Sequence, residues 1–389
     1  MLRSLYSGIS GLRAHQTMLD VTGNNIANVN TAGFKSSTTQ FQDTLSQMTQ
    51  GASAPQGQTG GSNPAQIGLG VRVAGVSTNF SQGSSQSTGR ATDMMISGDG
   101  FFITNKGGQQ LFTRAGSMTF DANSQLVSPD GGILQGWTAN GGTVDPAGPI
   151  GNITLNPNTM VATATKKVTL DGNLPSDAAD GTSLQRVVKV YDPSGAESTL
   201  TLNFAFDKTA GKWNVADGTT PIGSMTFSAD GKLSSAGTLT TAGGLTVDVS
   251  KVSGYATMNS LTVAGQDGAP VGKLESFTLG NDGSLIGSFS NGTKQVLAKI
   301  ALAKFTNPAG LEKAGGSSYV ATANSGNVQL GAAGDPGIGT LAGGSLEMSN
   351  VDLSQEFTNL IVAQRGFQAN ARIITTSDEV LQELTQLKR

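Results

Sequence analysis

The chain has 389 residues, no cysteine and a net charge of −3, with charged residues at only 13%. Disulfides and thiolate metal sites are therefore excluded, and the absence of a Lys/Arg cluster argues against nucleic-acid binding. Glycine, at 54 residues, has about twice its usual ~7% share, and with plentiful β-branched residues it points to short strands and tight turns rather than disorder.

The start, Met1-Leu2-Arg3-Ser4-Leu5-Tyr6-Ser7, lacks the continuous apolar stretch of a secretory signal. No run approaches the ~20 apolar residues of a membrane span, so no membrane insertion is expected. Residues 2–28 contain no proline, and Leu5, Ile9, Leu12, Leu19 and Ile26 recur at helical spacing, with Gln16 and Gly23 filling the remaining seam positions. Gly8, Gly11 and Gly23 each cost ~1 kcal/mol relative to alanine inside a helix, so this helix should need a partner. Asn24, Asn25, Asn28, Asn30 and Thr31 end it, because asparagine caps a last turn and tolerates left-handed φ. Gly33 then lets the chain bend before Phe34.

Residues 36–70 read as a polar connector. Beyond it the period shortens to about two. Val71, Val73 and Val76, then Met94-Met95-Ile96 and Phe101-Phe102-Ile103, read as strands, and Thr119-Phe120 and Leu126-Val127 flank a turn at 121–124. A second β segment covers about 150–284, with strands near 167–170, 187–190, 199–206, 211–215 and 225–227. The strong strand pattern at 295–305 resembles the 71–140 region more than the middle.

In the C-terminal stretch Leu353, Phe357, Leu360, Phe367, Ala371, Ile374 and Leu381 share one seam, interrupted by Gln364 and Asp378. Ser349 and Asp352 stand at N-cap and N3 spacing. A helix over 352–389 would be roughly 55 Å long, which suggests that it lies along another helix. The expected fold is mixed and mainly β: a terminal α-helical coiled coil from both chain ends plus two nested all-β domains. The helical part takes 1–35 and 345–389, the connector 36–70, the first β domain 71–148 and 285–344, and the inserted outer β domain 149–284.

Candidate chemistry is sparse. The single histidine, His15, has no cysteine to join it in a metal site and no recognisable nucleophile or acid beside it, so a surface or packing role is expected. Gly68-Leu69-Gly70-Val71-Arg72-Val73-Ala74-Gly75 misplaces the third glycine of a dinucleotide loop, and no helix follows to receive a phosphate. No catalytic residue, cofactor or metal site is expected, and the chain reads as a non-enzyme.

Two terminal runs carry a resemblance. Leu5-Tyr6-Ser7-Gly8-Ile9-Ser10-Gly11-Leu12 and Leu19-Asp20-Val21-Thr22-Gly23-Asn24-Asn25-Ile26-Ala27-Asn28-Val29-Asn30-Thr31-Ala32-Gly33-Phe34-Lys35 resemble the N-terminal signature of the flagellar rod and hook axial proteins. Leu346-Glu347-Met348-Ser349-Asn350-Val351-Asp352-Leu353, Glu356-Phe357 and Gln364-Arg365-Gly366-Phe367-Gln368-Ala369-Asn370 are similar to its C-terminal counterpart. Gly98-Asp99-Gly100-Phe101-Phe102, Phe112-Thr113-Arg114-Ala115-Gly116 and Gln135-Gly136-Trp137 resemble the family's first β domain, and 303–311 resembles its return segment. One departure is Asn123-Ser124, where the pattern has a glycine in the turn.

The resemblance implies a subunit exported unfolded without a cleaved signal, which polymerises into an extracellular helical homopolymer. The family's rod members are generally shorter because they lack the inserted β domain, so the length implies the hook type, a bendable joint that carries torque from rod to filament. Implied partners are further copies of the chain, distal-rod and hook–filament junction proteins, the hook cap and the export apparatus. A distal-rod or junction protein, or a secreted β-rich adhesin, remains the alternative. Gln16 and Gln364 fix helix register or are simply exposed.

Overall fold

In the computed structural model, which describes residues 2–55, 57, 60–156 and 159–386, the fold is mixed and mainly β. Helix α1 (Leu2–Ala27) and helix α2 (Leu353–Gln386) stand at the two ends of the strand-rich chain. The last three residues of the helix expected over 352–389 lie outside the described residues. The chain divides into two compact units. The first comprises Met1–Leu155, Thr278–Ile286 and Val296–Arg389, and the second comprises Asn156–Phe277 and Gly287–Gln295.

In the first unit, Phe101–Lys106 pairs antiparallel with Gln109–Thr113 and with Ile133–Thr138. The returning strand Lys294–Lys304 joins them, with Leu302 opposite Phe102 and Ile300 opposite Gly136. Sequence-distant strands thus share one sheet, and Phe101, Phe112, Trp137, Phe305 and Tyr319 fill its core. The rings of Phe101 and Phe112 meet Phe305 edge-on, at centroid distances of 5.8 and 4.8 Å. At the turn that departs from the family pattern, Ser124 holds a φ of 60°, the left-handed conformation that a glycine adopts without strain.

The span 36–70 is not a bare connector. Ser37–Asp43 pairs antiparallel with Val71–Thr78, and Ser46–Gln50 pairs with Ala65–Gly68, so the segment is a β ribbon. The outer pair, Ser46–Gln50 with Ala65–Gly68, is solvated on both faces, and Leu45, Met48 and Ile67 are exposed. Without a buried face there is no alternation in sequence to announce a strand.

The second unit packs two four-stranded sheets. One is a plain antiparallel meander of Ser183–Tyr191, Glu197–Asp207, Lys212–Asp217 and Thr220–Thr226. In the other, Lys167–Asn173 lies between Thr246–Ser253, parallel to it, and Thr262–Gln266, antiparallel. Trp213, Phe204, Leu202, Met225, Leu170 and Val247 form a core of the unit's own.

Candidate assembly surface and its buried junction

Helices α1 and α2 run antiparallel, and small residues set how closely they approach. A Cβ on Gly8 would touch Ile373 and Ile374 at 3.5 Å, one on Gly11 would fall 2.6 Å from Oδ1 of Asn370, and one on Gly366 would fall 2.5 Å from the His15 ring. Farther along, Asn25 Nδ2 donates to Glu356 Oε1 at 3.0 Å. Each step up α1 is thus matched by a step down α2. Gly11 and Gly366 act as sockets for the larger side chain of the other helix, as close helix packing requires.

The buried line of α1 is Gly8, Gly11, Ala14, Thr22 and Asn25. It lies beside the apolar seam expected from sequence rather than on it. Leu5, Ile9, Leu12, Leu19 and Ile26 flank it, half-buried, while Gln16 and Gly23 are exposed. On α2, Leu360, Phe367, Ala371, Ile374 and Leu381 are half-buried, and Glu356 and Ala363 are buried. Leu353 and Phe357 point away from α1, and Phe357 keeps 52% of its surface. Ile361 and Val362 are exposed as well, as is Gln364, whereas the partly exposed Ile373 lies against Gly8 of α1. One face of α2 is therefore used within the chain, and another, strongly apolar one is not.

The start of α2 also differs in detail from the expected capping box. Asp352 is itself the cap, its Oδ1 accepting from the amides of Ser354 at 2.8 Å and Gln355 at 3.2 Å. Ser349 lies upstream, its Oγ accepting from the Val351 amide.

At the end of α1 the chain turns through Asn24, Asn28, Asn30 and Thr31. Asn28 Nδ2 donates to the Asn24 carbonyl at 2.9 Å, and Thr31 Oγ1 donates to Asn28 Oδ1 at 3.0 Å. Gly33 follows at φ 69°, so close to the Arg114–Ala115 backbone that a Cβ would fall 2.4 Å from the Ala115 nitrogen. Its amide donates to the main-chain oxygen of Glu347 at 2.7 Å. Phe34 is half-buried beside it, with the Lys313 amine 5.4 Å above its ring.

Behind this turn lies a buried polar junction. Glu347 Oε1 accepts from Lys35 Nζ at 2.6 Å and from the Gly83 amide at 2.9 Å, while Oε2 accepts from Arg114 at 3.3 Å. The Lys35 and Glu347 side chains are fully enclosed, and the Arg114 guanidinium also stacks over Phe101. Burial pulls the Lys35 amine below the ordinary lysine value, and the Glu347 carboxylate opposes that pull. Asn25 is bonded on both sides: Nδ2 donates to the Ser37 carbonyl at 2.8 Å and Oδ1 accepts from the Ser37 amide at 3.0 Å. Asn350 Oδ1 accepts from the Ser36 amide, and its Nδ2 donates to the carbonyls of Asn79 and Ser81. The junction therefore fixes the exit of α1, the entry to α2 and the first β layer against one another.

Lys35, Arg114, Glu347, Asn350 and Glu356 all lie within the motif runs quoted from sequence, yet the sequence reading gave none of them a role. The available signal was the few charged residues, Lys35, Arg114, Glu347 and Glu356, inside runs that are otherwise mostly uncharged. Among the described residues no cluster of three or more His, Cys, Asp or Glu could hold a metal ion, and no helix is long and apolar enough to cross a membrane.

Three family models match the chain: flagella basal body rod protein at residues 5–35, flagellar hook protein FlgE/F/G D1 domain at 95–174, and flagellar basal body rod FlgEFG protein C-terminal at 342–387. The flagellar hook protein FlgE of Borreliella burgdorferi is 39% identical, with 100% of both chains covered. The flagellar basal-body rod protein FlgG of Bacillus subtilis is 34% identical, again with 100% of both covered. The crystal structure of the Helicobacter pylori flagellar hook protein FlgE2 shares the fold at a TM-score of 0.50 and 16% identity, covering 68% of this chain and 100% of that one. The chain belongs to the flagellar hook and basal-body rod family of axial proteins, structural subunits that polymerise into the torque-transmitting tube of the extracellular flagellum.

Proposed function

We propose that this member is a hook subunit, forming the bendable joint between rod and filament. The observation that carries the reading is the second β unit, 156–277 with 287–295, which has a core of its own containing Trp213. The paired helices line the tube wall. The apolar face of α2 left open by α1, with Leu353, Phe357, Ile361 and Val362, packs against neighbouring copies, at roughly 25 cal/mol per Å² of apolar area buried.

Leu5, Ile9, Leu12, Leu19, Ile26, Leu360, Phe367, Ile374 and Leu381 hold the helix pair in shape for that contact, and the 24–34 turn fixes its angle of exit. The Ser-, Thr- and Gly-rich β surfaces supply many weak contacts that slip at small energy cost, which lets the tube bend while it turns. Its ends meet distal-rod and hook–filament junction proteins. Growth involves a hook cap and unfolded passage through the export apparatus.

Purified chain polymerised in vitro and imaged by electron microscopy tests the assignment. Curved tubes whose curvature changes with conditions are expected. Tubes that stay straight and stiff throughout would assign the chain to the rod, the reading favoured by its full-length likeness to a rod protein.

A further inference from the structure

The two ends of the helix pair are chemically complementary. Continuing the register from Gly8 opposite Ile373, the start of α1 falls level with Glu379. The last turns of α2, residues 380–386, therefore run on with no described residue of α1 alongside. They expose Val380 and Leu384, and next to these, one helical turn apart, Glu379 and Glu383. Neither glutamate has an ion-pair partner among the described residues.

At the opposite end of the pair is a pocket of about 540 Å³ between Asn24 and Asn28 of α1 and the residues Phe34, Lys313 and Tyr319. Its charged lining residues are Lys313 and Asp130, and the Asp130 carboxylate is held by Ser128 and lies 4.0 Å from the Lys106 amine. The Lys313 Nζ lies 2.9 Å from Ser37 Oγ and over the Phe34 ring, and no carboxylate reaches it among the described residues. Burial of the amine lowers its pKa, as expected for a cation short of a counter-charge.

We propose that the end of α2 of one copy seats in this pocket of the next, with Glu379 or Glu383 paired to Lys313 and Val380 or Leu384 against Phe34. One occupant satisfies both unpartnered sets. Because donor and acceptor lie at opposite ends of the same helix pair, the contact is head-to-tail, and a head-to-tail contact that does not close on itself builds a filament. The proposal deepens the self-assembly reading and rests on it. It adds an axial contact to the lateral one assigned to the open face of α2.

Charge reversal in the full-length chain tests it, with circular dichroism and a melting curve of the monomer as folding controls. Lys313→Glu, and separately the pair Glu379→Lys with Glu383→Lys, should each leave the monomer folded and raise the critical concentration for polymerisation at least tenfold. Combining the two should restore most of the loss, and raised salt should weaken wild-type assembly. Single reversals that polymerise like wild type, or a combination no better than its parts, overturn the axial contact and leave the lateral reading standing. Tubes formed by a chain lacking 353–389 would overturn the helix-based assembly reading itself.

Discussion

Lys35 Nζ and Glu347 Oε1 lie 2.6 Å apart although 312 residues separate them in the chain, and both side chains are sealed from solvent. Arg114 shares the same carboxylate, so two cations depend on one anion. Neutralising Glu347 is therefore worse than neutralising Lys35. Glu347→Gln leaves two buried positive charges uncompensated, whereas Lys35→Met leaves the Arg114–Glu347 pair in place. Breaking a buried pair from one side costs about 3–5 kcal/mol. Lys35→Met should fall near the lower figure and Glu347→Gln near or beyond the upper one, as read by urea unfolding of the monomer. Equal, sub-kilocalorie effects would mean that water reaches the junction.

The helix sockets make a second, two-sided prediction. Gly366→Ala places a methyl 2.5 Å from the rigid His15 ring, whereas at Gly23 nothing lies within 4 Å of the added carbon. Both changes gain up to ~1 kcal/mol of helix propensity. At Gly366 overpacking of about 1–3 kcal/mol outweighs that gain, and at Gly23 nothing opposes it. Gly23→Ala should raise the temperature at which helical circular dichroism is lost, and Gly366→Ala should lower it. The same sign for both would refute the close approach.

The helix pair shows what the sequence carried and what it hid. The extents of both helices, their pairing and the nesting of strand-rich segments were legible, because long runs of helical period and turn residues report them directly. The packing line of α1 was not. A search for large apolar residues finds Leu5, Ile9 and Leu12, but closely packed helices put their smallest residues at the centre, and here those are Gly8 and Gly11. Gln16 and Gln364, read from sequence as either register-fixing or simply exposed, are exposed in the single chain, and the polar contact across the helix pair is Asn25 with Glu356. The ionic junction was invisible for a different reason. Its three charges come from distant parts of the chain, and only folding shows that they share one cavity.

Tyr319 gives an alkaline signature. Burial pushes its phenol up to about 12 from the usual 10, against a smaller opposing pull from Arg114. Between those values the unfolded chain has already released the proton that the folded chain keeps. The folded state thus binds more protons, and stability falls as pH rises, by up to ~1.4 kcal/mol per pH unit. Below pH 10 both states are protonated and the contribution is constant. Phenolate absorbance should show a late step near pH 12. Tyr319→Phe should remove that step and flatten the alkaline loss of stability.

The open face of α2 separates folding from assembly. Phe357 keeps half its surface in the single chain, while Ala363, about a third of the way round the helix, keeps none. Truncating Phe357 should therefore cost the monomer little. If a neighbour covers the ring in the tube, Phe357→Ala forfeits about 2 kcal/mol of burial per contact, roughly a 30-fold rise in critical concentration. Ala363→Leu makes the opposite demand, because it overfills the line between α1 and α2 and should disturb the helix pair before any second copy arrives. Melting of the monomer and the critical concentration for tubes, measured on both variants, distinguish the two faces. The assignment fails if Phe357→Ala destabilises the monomer as much as it hinders polymerisation, since the ring would then belong to the fold rather than to the neighbour.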